Sequence, residues 1–389
     1  MKKKIAILGS TGSIGSTLLN LVDKKKFKII FLSANKNYKK ILRQANLFNV
    51  RYIIINDQNS FLKAKILNKN RKIKILNKNF NLNKIIKKKL DYTMSSITGI
   101  EGLVPTFKMI KLTKRIAIAN KETLICAWPL IDKELKKNNT EFIPVDSEHF
   151  SIWTEINKYD SHHIDKIYLT ASGGPLLKFN QKKLNKIKIS SILNHPTWKM
   201  GKKISVDSAT MMNKCFEVME AKNIFNLNYK QIKIIIHPKS YVHAIIMYKN
   251  GISKIITHDT TMKIPIFNSL NYKSEYYKND NRIDFKKLNN LNFQEIKLSK
   301  FPIVRCLKNL PDTHSLYDTI LVSINDKIVS KFLEKKIRFT DISSLVIHFS
   351  NLKLFNKYKN FVVNSIDDII KLNRFVNSII DQYFLKHND

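Results

Sequence analysis

The sequence predicts an α/β protein with a helical C-terminal part, and three observations carry that reading. The chain opens with an apolar run, Ile5-Ala6-Ile7-Leu8. This breaks at Gly9-Ser10-Thr11-Gly12-Ser13-Ile14-Gly15 and resumes as Thr17-Leu18-Leu19-Asn20-Leu21-Val22. Apolar runs of strand length recur at Phe27 to Leu32, 51–56, 115–119, 142–145, 166–170 and Ile232 to Ile236. Beyond about residue 305 the apolar residues fall at helical spacing instead, as in Leu316, Ile320, Leu321 and Ile324, then Ile328, Val329, Phe332 and Leu333.

A chain of 389 residues has room for two or three domains, at roughly 150 residues each. Its 43% hydrophobic and 10% aromatic content is ordinary for a chain that buries a core. No apolar run approaches the roughly 18 residues of a membrane span. The run after Lys2-Lys3-Lys4 stops at Gly9, short of the roughly 7–15 residues of a signal-peptide core. The sequence therefore predicts a cytoplasmic protein with no membrane partner. Cys126, Cys215 and Cys306 are too few and too scattered for a disulfide framework or a zinc site, which fits a reducing compartment. The formal net charge is +39. The lysines are spread along the whole chain with asparagine and isoleucine, and nothing interleaves aromatic and basic residues as a stacking platform would. No specific nucleic-acid partner is expected. The charge acts as a field that attracts phosphorylated small molecules.

Strand, glycine-rich turn and helix at the N-terminus predict a Rossmann-like dinucleotide-binding domain. The spacing is G-x-x-G-x-x-G, but glycines still let the backbone approach a pyrophosphate at a helix start. A site for NAD usually has an acid at the end of the second strand. Here the residues are Ser33-Ala34-Asn35-Lys36-Asn37, and a lysine without an acid favours the 2′-phosphate of NADP(H). Lys65-Ile66-Leu67-Asn68-Lys69-Asn70 nearly recurs at 74–79. One recurrence makes no repeat architecture, which needs at least about three units.

The runs at 115–119, 142–145 and 166–170 end in Asn120-Lys121-Glu122, Asp146-Ser147-Glu148-His149 and Ala171-Ser172-Gly173-Gly174-Pro175. Ligands gather outside the carboxyl ends of strands in open α/β sheets, so the three clusters are expected at one sheet edge. Asp146, Glu148 and Glu217 offer three carboxylates and no thiolate, the hard-oxygen set of Mg2+ or Mn2+, with Co2+ a further candidate. Ser172 beside two glycines could wrap a phosphate. The stretch 205–217 reads as a strand-like approach to a helix capped by Asp207 or Ser208. Ser208, Asn213 and Lys214 near that helix start would favour an anion, with Glu217 on the face of Asn213. The plain alternative is a capped amphipathic helix with Met211, Met212, Phe216, Val218 and Met219 as its core face. His195-Pro196-Thr197-Trp198-Lys199-Met200-Gly201 reads as a flap or as a satellite hydrophobic cluster. His237 and His243 are read as structural. Residues 276–300 form a polar linker.

These residues resemble the 1-deoxy-D-xylulose 5-phosphate reductoisomerase family of the methylerythritol phosphate route. The resemblance rests on Gly9–Gly15, Asn120–Glu122, Pro144–His149, Ser172–Pro175, His195–Gly201, Lys203–Lys214 with Glu217, His237–His243 and Ile337–Ile342. It implies an N-terminal NADPH-binding domain (1–145) and an α/β catalytic domain (146–275) with a lid at about 173–203. A linker (276–304) and a small C-terminal helical domain (305–389) would follow, in a homodimer. By resemblance, Thr11, Gly12, Ser13, Ile14, Asn35, Lys36, Asn37, Asn120, Glu122 and Gly201 would contact NADPH. Asp146, Glu148 and Glu217 would hold the metal. Ser172, Ser208, Asn213 and Lys214 would bind the substrate phosphate, with His195 closing over it. Lys121, Ser147 and Glu148 would meet the carbonyl end, and Trp198 and Met200 would belong to the flap. Compared with the family pattern, Asn35 stands for a glycine, Cys215 for a glycine, Asn194 for an arginine, and Ser323-Ile324-Asn325-Asp326-Lys327 for an Asn-Ala-Ala-Asn-Glu-like run. Asn35 is expected to keep the turn by taking positive φ. The implied reaction is the NADPH- and metal-dependent rearrangement and reduction of 1-deoxy-D-xylulose 5-phosphate. A metal-independent NADPH dehydrogenase for a small phosphorylated substrate is the first rival, and a basic nucleic-acid-binding protein the second.

Overall fold

β1 (Lys3–Leu8) is the strand on which the first sheet is built. Ile5, Ala6 and Ile7 are fully buried, as a parallel strand covered on both faces requires. The chain continues through α1 (Ser13–Leu21), β2 (Phe27–Ala34), α2 (Tyr38–Leu47), β3 (Tyr52–Ile55), α3 (Gln58–Leu67) and β4 (Lys74–Asn77). β5 (Tyr92–Ser95), α4 (Leu103–Ile110), β6 (Arg115–Ile118), α5 (Lys121–Lys137) and β7 (Glu141–Pro144) follow. The seven strands lie in the order β4-β3-β2-β1-β5-β6-β7, with every pairing parallel. The order reverses between β1 and β5, the switch point at which open sheets bind nucleotides. The computed structural model describes all residues except 157–159, 180–183, 185–186, 196, 199, 273–274, 276, 278–283 and 387–389.

The Gly9–Gly15 turn sits at that switch point. Gly9 has φ +79°, and a Cβ on it would lie 2.7 Å from the Ser96 carbonyl oxygen. A Cβ on Gly15 would lie 2.5 Å from the Gly9 oxygen. The turn is pinned from beneath by Gln44, which accepts from the Ser10 hydroxyl at 2.8 Å and donates to the Ser10 carbonyl at 2.9 Å.

The second part of the chain begins with α6 (Ser147–Glu155), β8 (Ile164–Ala171), α7 (Ile189–Leu193), α8 (Lys202–Thr210) and α9 (Met212–Phe225). β9 (Ile232–Ile236), β10 (Val242–Tyr248), β11 (Ser253–Thr257), α10 (Lys263–Leu270) and α11 (Phe285–Leu288) come next. α12 (Leu316–Leu333), α13 (Phe339–Ser350) and α14 (Ile366–Lys386) end it. A four-stranded sheet runs β11-β10-β8-β9. Ile152, Val218, Ala221 and Phe225 of α6 and α9 share a core with Ile167, Leu169, Ile232, Ala244 and Ile246 of the sheet. None of the described helices is long and apolar enough to cross a membrane.

Two compact units divide the chain. One comprises Met1–Asn120, Ile131–Asp146 and Met262–Lys278; the other comprises Lys121–Leu130, Ser147–Thr261 and Asn279–Asp389. α10 thus belongs to the first unit, where it packs on α1 and Tyr92 Oη meets Ser269 Oγ at 2.9 Å. The α/β class with a Rossmann-like sheet and C-terminal helices is as the sequence predicts.

Three expectations are corrected. β8 pairs with β9 and β10, so the Ser172 cluster ends a strand of a different sheet from Lys121 and Asp146. Residues 202–210 are helical rather than strand-like, so Asp207 and Ser208 lie inside α8 and cap nothing. The helix breaks instead at Met211, which takes the left-handed conformation at φ 75°. The β-branched Ile204 and Val206 misled the reading because burial overrides propensity here. Asn35 also stays out of the left-handed region. The near-recurrence at 65–70 and 74–79 is no structural repeat, since the first copy ends α3 and the second forms β4.

Gly15→Ala forces a Cβ into backbone, so overpacking should cost about 1–3 kcal/mol. Denaturant unfolding would read this as a lower midpoint at unchanged slope; an unchanged midpoint would contradict the close approach.

Candidate active site

α9 is buried along nearly its whole length, including Lys214, Glu217, Glu220 and Lys222. Buried charges need partners; Lys214, Glu217 and Glu220 meet groups of α6 and α5, while the Lys222 ammonium lies over the Tyr229 ring. Lys214 Nζ donates to Glu148 Oε1 at 2.6 Å and to Glu217 Oε2. Lys121 Nζ, at the start of α5, donates to Asn213 Oδ1 at 2.7 Å and lies 3.4 Å from Glu217 Oε1. Asn213 Nδ2 donates to the same Glu217 oxygen. Burial works against the charge on Lys214, yet Glu148 and Glu217 hold its pKa above the ordinary lysine value. Two ammonium groups and two carboxylates therefore neutralise one another within the second unit.

Glu148 is set by its neighbours. Ser147 Oγ donates to Glu148 Oε2 at 2.6 Å and lies 3.2 Å from His243 Nδ1. His243 stacks on His258 at 3.5 Å, and Trp198 meets its edge. His149 Nε2 lies 2.9 Å from the Glu217 carbonyl and its Nδ1 lies 3.7 Å from Glu220 Oε2, so α6 is riveted to α9 at the residue that carries Glu217. Carboxylate oxygens of Glu148 and Glu217 come within 4.8 Å of each other. An all-oxygen pair already holding a cation fits Mg2+ or Mn2+. Asp146 ends the first unit immediately before Ser147.

A second group forms at Ser172. Gly174 packs so tightly on α8 that a Cβ would lie 2.7 Å from the Ser208 oxygen, which brings the Ser172 loop to Ser208. Gly174 N donates to Ser172 Oγ at 3.1 Å, and His195 Nε2 lies 3.1 Å from it. His195 Nδ1 accepts from the amides of Thr197 and Trp198 at 3.2 and 3.0 Å. In the neutral imidazole the proton must then sit on Nε2 and point at Ser172 Oγ. The serine accepts twice, leaving its own O–H to donate outward. The start of α9 is less open than the sequence suggested. Met212 N bonds Thr210 Oγ1, and Lys214 N and Cys215 N bond the Met211 carbonyl. An anion here must rely on side chains more than on helix amides.

Of the dinucleotide candidates, Thr11, Gly12, Ser13 and Ile14 follow β1, and Asn35, Lys36 and Asn37 follow β2, in the first unit. Asn120 turns inward: its Nδ2 donates to the carbonyls of Ile97 and Gly99, the latter at 2.8 Å. Glu122 and Gly201 belong to the second unit, where Lys203 Nζ lies 2.5 Å from Glu122. Pro196 and Lys199 of the flap motif, and part of the 173–203 and 276–300 stretches, lie outside the described residues. Sequence reading missed the His243–His258 stack, the His149–Glu220 pair and the Lys203 ion cluster. The i, i+4 spacing of Lys203 and Asp207 was a usable signal; the partners from distant segments gave none.

A glycine turn at the switch point of a parallel sheet, with a close pair of carboxylates whose oxygens suit a hard cation, marks the class of a dinucleotide-dependent oxidoreductase equipped for a divalent metal. Family models described as 1-deoxy-D-xylulose 5-phosphate reductoisomerase and its C-terminal domains match residues 5–128, 142–225 and 259–378. The enzyme of that name from Pelagibacter ubique is 53% identical over 378 residues, covering 96% of this chain and 97% of the relative. That of Wolbachia sp. subsp. Drosophila simulans is 38% identical over 380 residues, covering 95% of each. A crystal structure of DOX-P reductoisomerase with NADPH, fosmidomycin and magnesium superposes with a TM-score of 0.90 at 30% identity, covering 100% of both chains. The Zymomonas mobilis enzyme in complex with NADPH gives 0.83 at 27% identity over 97% of each. The chain belongs to the 1-deoxy-D-xylulose 5-phosphate reductoisomerase family.

Burial lowers the His195 pKa to about 4, so the imidazole is neutral across the working range. Because the folded value is below the unfolded one, its stability contribution is present above about pH 6.5 and is lost as pH falls towards 4. NMR titration of the His195 ring should find its midpoint near 4; a midpoint near the free-histidine value would refute the buried tautomer.

Proposed function

We propose that the chain converts 1-deoxy-D-xylulose 5-phosphate to 2-C-methyl-D-erythritol 4-phosphate, using NADPH and a divalent metal, in isoprenoid precursor biosynthesis. The observation that carries the reading is the buried Glu148–Lys214–Glu217–Lys121 cluster in a chain of this family. The solved relative holding NADPH, fosmidomycin and magnesium supports it.

Asp146, Glu148 and Glu217 would hold Mg2+ or Mn2+, which would supply a Lewis acid for the substrate oxygens. Ser147 orients Glu148. Lys121, beside Glu217, presents an ammonium to the charge that develops on the substrate oxygens. Asn213 orients both Lys121 and Glu217. Ser172, Ser208, Asn213 and Lys214 take the phosphate, and the energy of that remote grip orients the reacting carbons. His195 stays neutral and directs the Ser172 hydroxyl outward. NADPH lies along Thr11–Ile14, Asn35–Asn37, Asn120, Glu122 and Gly201, with Lys36 on the 2′-phosphate. In this reading 1–145 is mainly the cofactor-binding part and 146–275 mainly the metal- and substrate-binding part, with a lid at about 173–203, and 305–389 is a helical support after a linker at 276–304; Lys121 and Gly201 each cross that division.

A homodimer is part of this reading. β11 ends its sheet and exposes Ile252 and Ile255 beside and on the edge strand, an edge that a second copy would cover. The three free cysteines are buried, which suits a cytoplasmic enzyme.

The test is NADPH oxidation with 1-deoxy-D-xylulose 5-phosphate in Mn2+, Mg2+ or EDTA. Turnover should require the metal, whereas turnover in EDTA would favour the metal-independent dehydrogenase. Glu217→Gln should leave NADPH affinity within about threefold. It should lower turnover by more than the 10–100-fold typical of losing an outer-shell partner; undiminished turnover would remove Glu217 from the site. Sedimentation should find a dimer, shifted towards monomer in Ile255→Lys.

A further inference from the structure

One ammonium outside the reacting cluster gathers carboxylates from three segments. Lys203 Nζ, on the first turn of α8, lies 2.5 Å from Glu122 Oε1 of α5. It also lies 3.2 Å from Asp207 Oδ2 of its own helix and 2.8 Å from Asp326 Oδ1 of α12. Asn325 Nδ2 donates to the other oxygen of Asp207 at 2.8 Å, and the Phe216 ring of α9 lies beneath the ammonium at 5.4 Å. Glu122 directly follows Lys121, and Asp207 directly precedes Ser208. Two of the three carboxylates are therefore chain neighbours of groups assigned to the substrate.

We propose that Lys203 is a positioning residue. Through Glu122 it fixes the turn that carries Lys121, through Asp207 the turn that carries Ser208, and it ties both to α12 through Asp326. This rests on the roles given above to Lys121 and Ser208.

The charge count explains why the tie must be exact. Three carboxylates face one ammonium; Glu122 and Asp207 are buried, and Asp326 is about a quarter exposed. Burial opposes the charge on Lys203, but Asp207, Asp326 and Glu122 hold its pKa well above the ordinary lysine value. Burial pushes Asp326 up to about 7, against the pull of Lys203 and with the push of Glu122 and Asp207. Cys126 of α5 also faces this acid, and burial keeps its thiol protonated. Below about pH 7 the proton on Asp326 relieves the excess of negative charge; above it that excess returns, and Lys203 alone opposes the mutual repulsion of the three carboxylates. An uncharged side chain at 203 would leave buried carboxylates repelling one another, so the turns bearing Lys121 and Ser208 would part.

Lys203→Met, Lys203→Arg and Asp326→Asn in the full-length protein test this. Circular dichroism verifies folding, kcat and KM are measured with Mn2+, and inorganic phosphate affinity is measured by calorimetry. Lys203→Met should lose about 100-fold in kcat/KM, the cost of roughly an ångström of misplacement, and about tenfold in phosphate affinity. Lys203→Arg should recover part of both. Asp326→Asn should match the wild type near pH 6 and diverge from it in kcat/KM above pH 7. A merely structural tie would shift melting alone, so a folded Lys203→Met within threefold of wild type in both readouts overturns the proposal. If Lys203→Met does not fold, coincident pH profiles of Asp326→Asn and wild type overturn it. A wild type that binds phosphate but oxidises no NADPH would defeat the reaction assigned above, and the phosphate affinities would still decide the role of Lys203.

Discussion

The Lys214 ammonium between Glu148 and Glu217 is the constraint on which the rest of the second unit depends. It lies on a helix with almost no solvent face, so each charge must be answered from another segment. α6 answers with Glu148 and Ser147, α5 with Lys121, and His149 closes the joint at the Glu217 backbone. Removing one partner from such a buried set costs about 3–5 kcal/mol, because the remaining charge is left uncompensated. The same set is neutral as it stands, each carboxylate being answered by an ammonium.

Much of this was legible in the sequence because the responsible residues are local. The Gly9–Gly15 turn and the acid pair around Ser147 each announce themselves within a few positions. The approach to α9 misled for the opposite reason. Ile204 and Val206 favour strands in isolation, yet they sit in a helix whose burial decides the matter, and nothing local marks Met211 as the break. The strand ending at Ala171 looked equivalent to those ending at Ile118 and Pro144. Only long-range pairing with β9 and β10 assigns it to another sheet. The stacked histidines 243 and 258 and the acid at 326 belong to the same class of fact, contacts between segments far apart in the chain.

The composition also reads differently with the fold in hand. A chain with 69 basic and 30 acidic residues spends several of its few acids in the interior. Glu122, Asp207, Glu217, Glu220 and Asp318 are all buried. The lysine excess lies mostly at the surface, while these carboxylates are kept away from it.

The break at Met211 constrains how this chain can vary. A non-glycine residue in the left-handed region carries about 1–2 kcal/mol of strain, and glycine would relieve it. The Met211 side chain is only 2% exposed, however, and emptying a buried methionine site costs about 2–5 kcal/mol. Glycine would gain backbone comfort and lose more in packing, while a β-branched residue would fill the space but resist the conformation. The junction between α8 and α9 is therefore a point of low evolvability, where backbone and core ask for different residues and a long, unbranched side chain is the compromise.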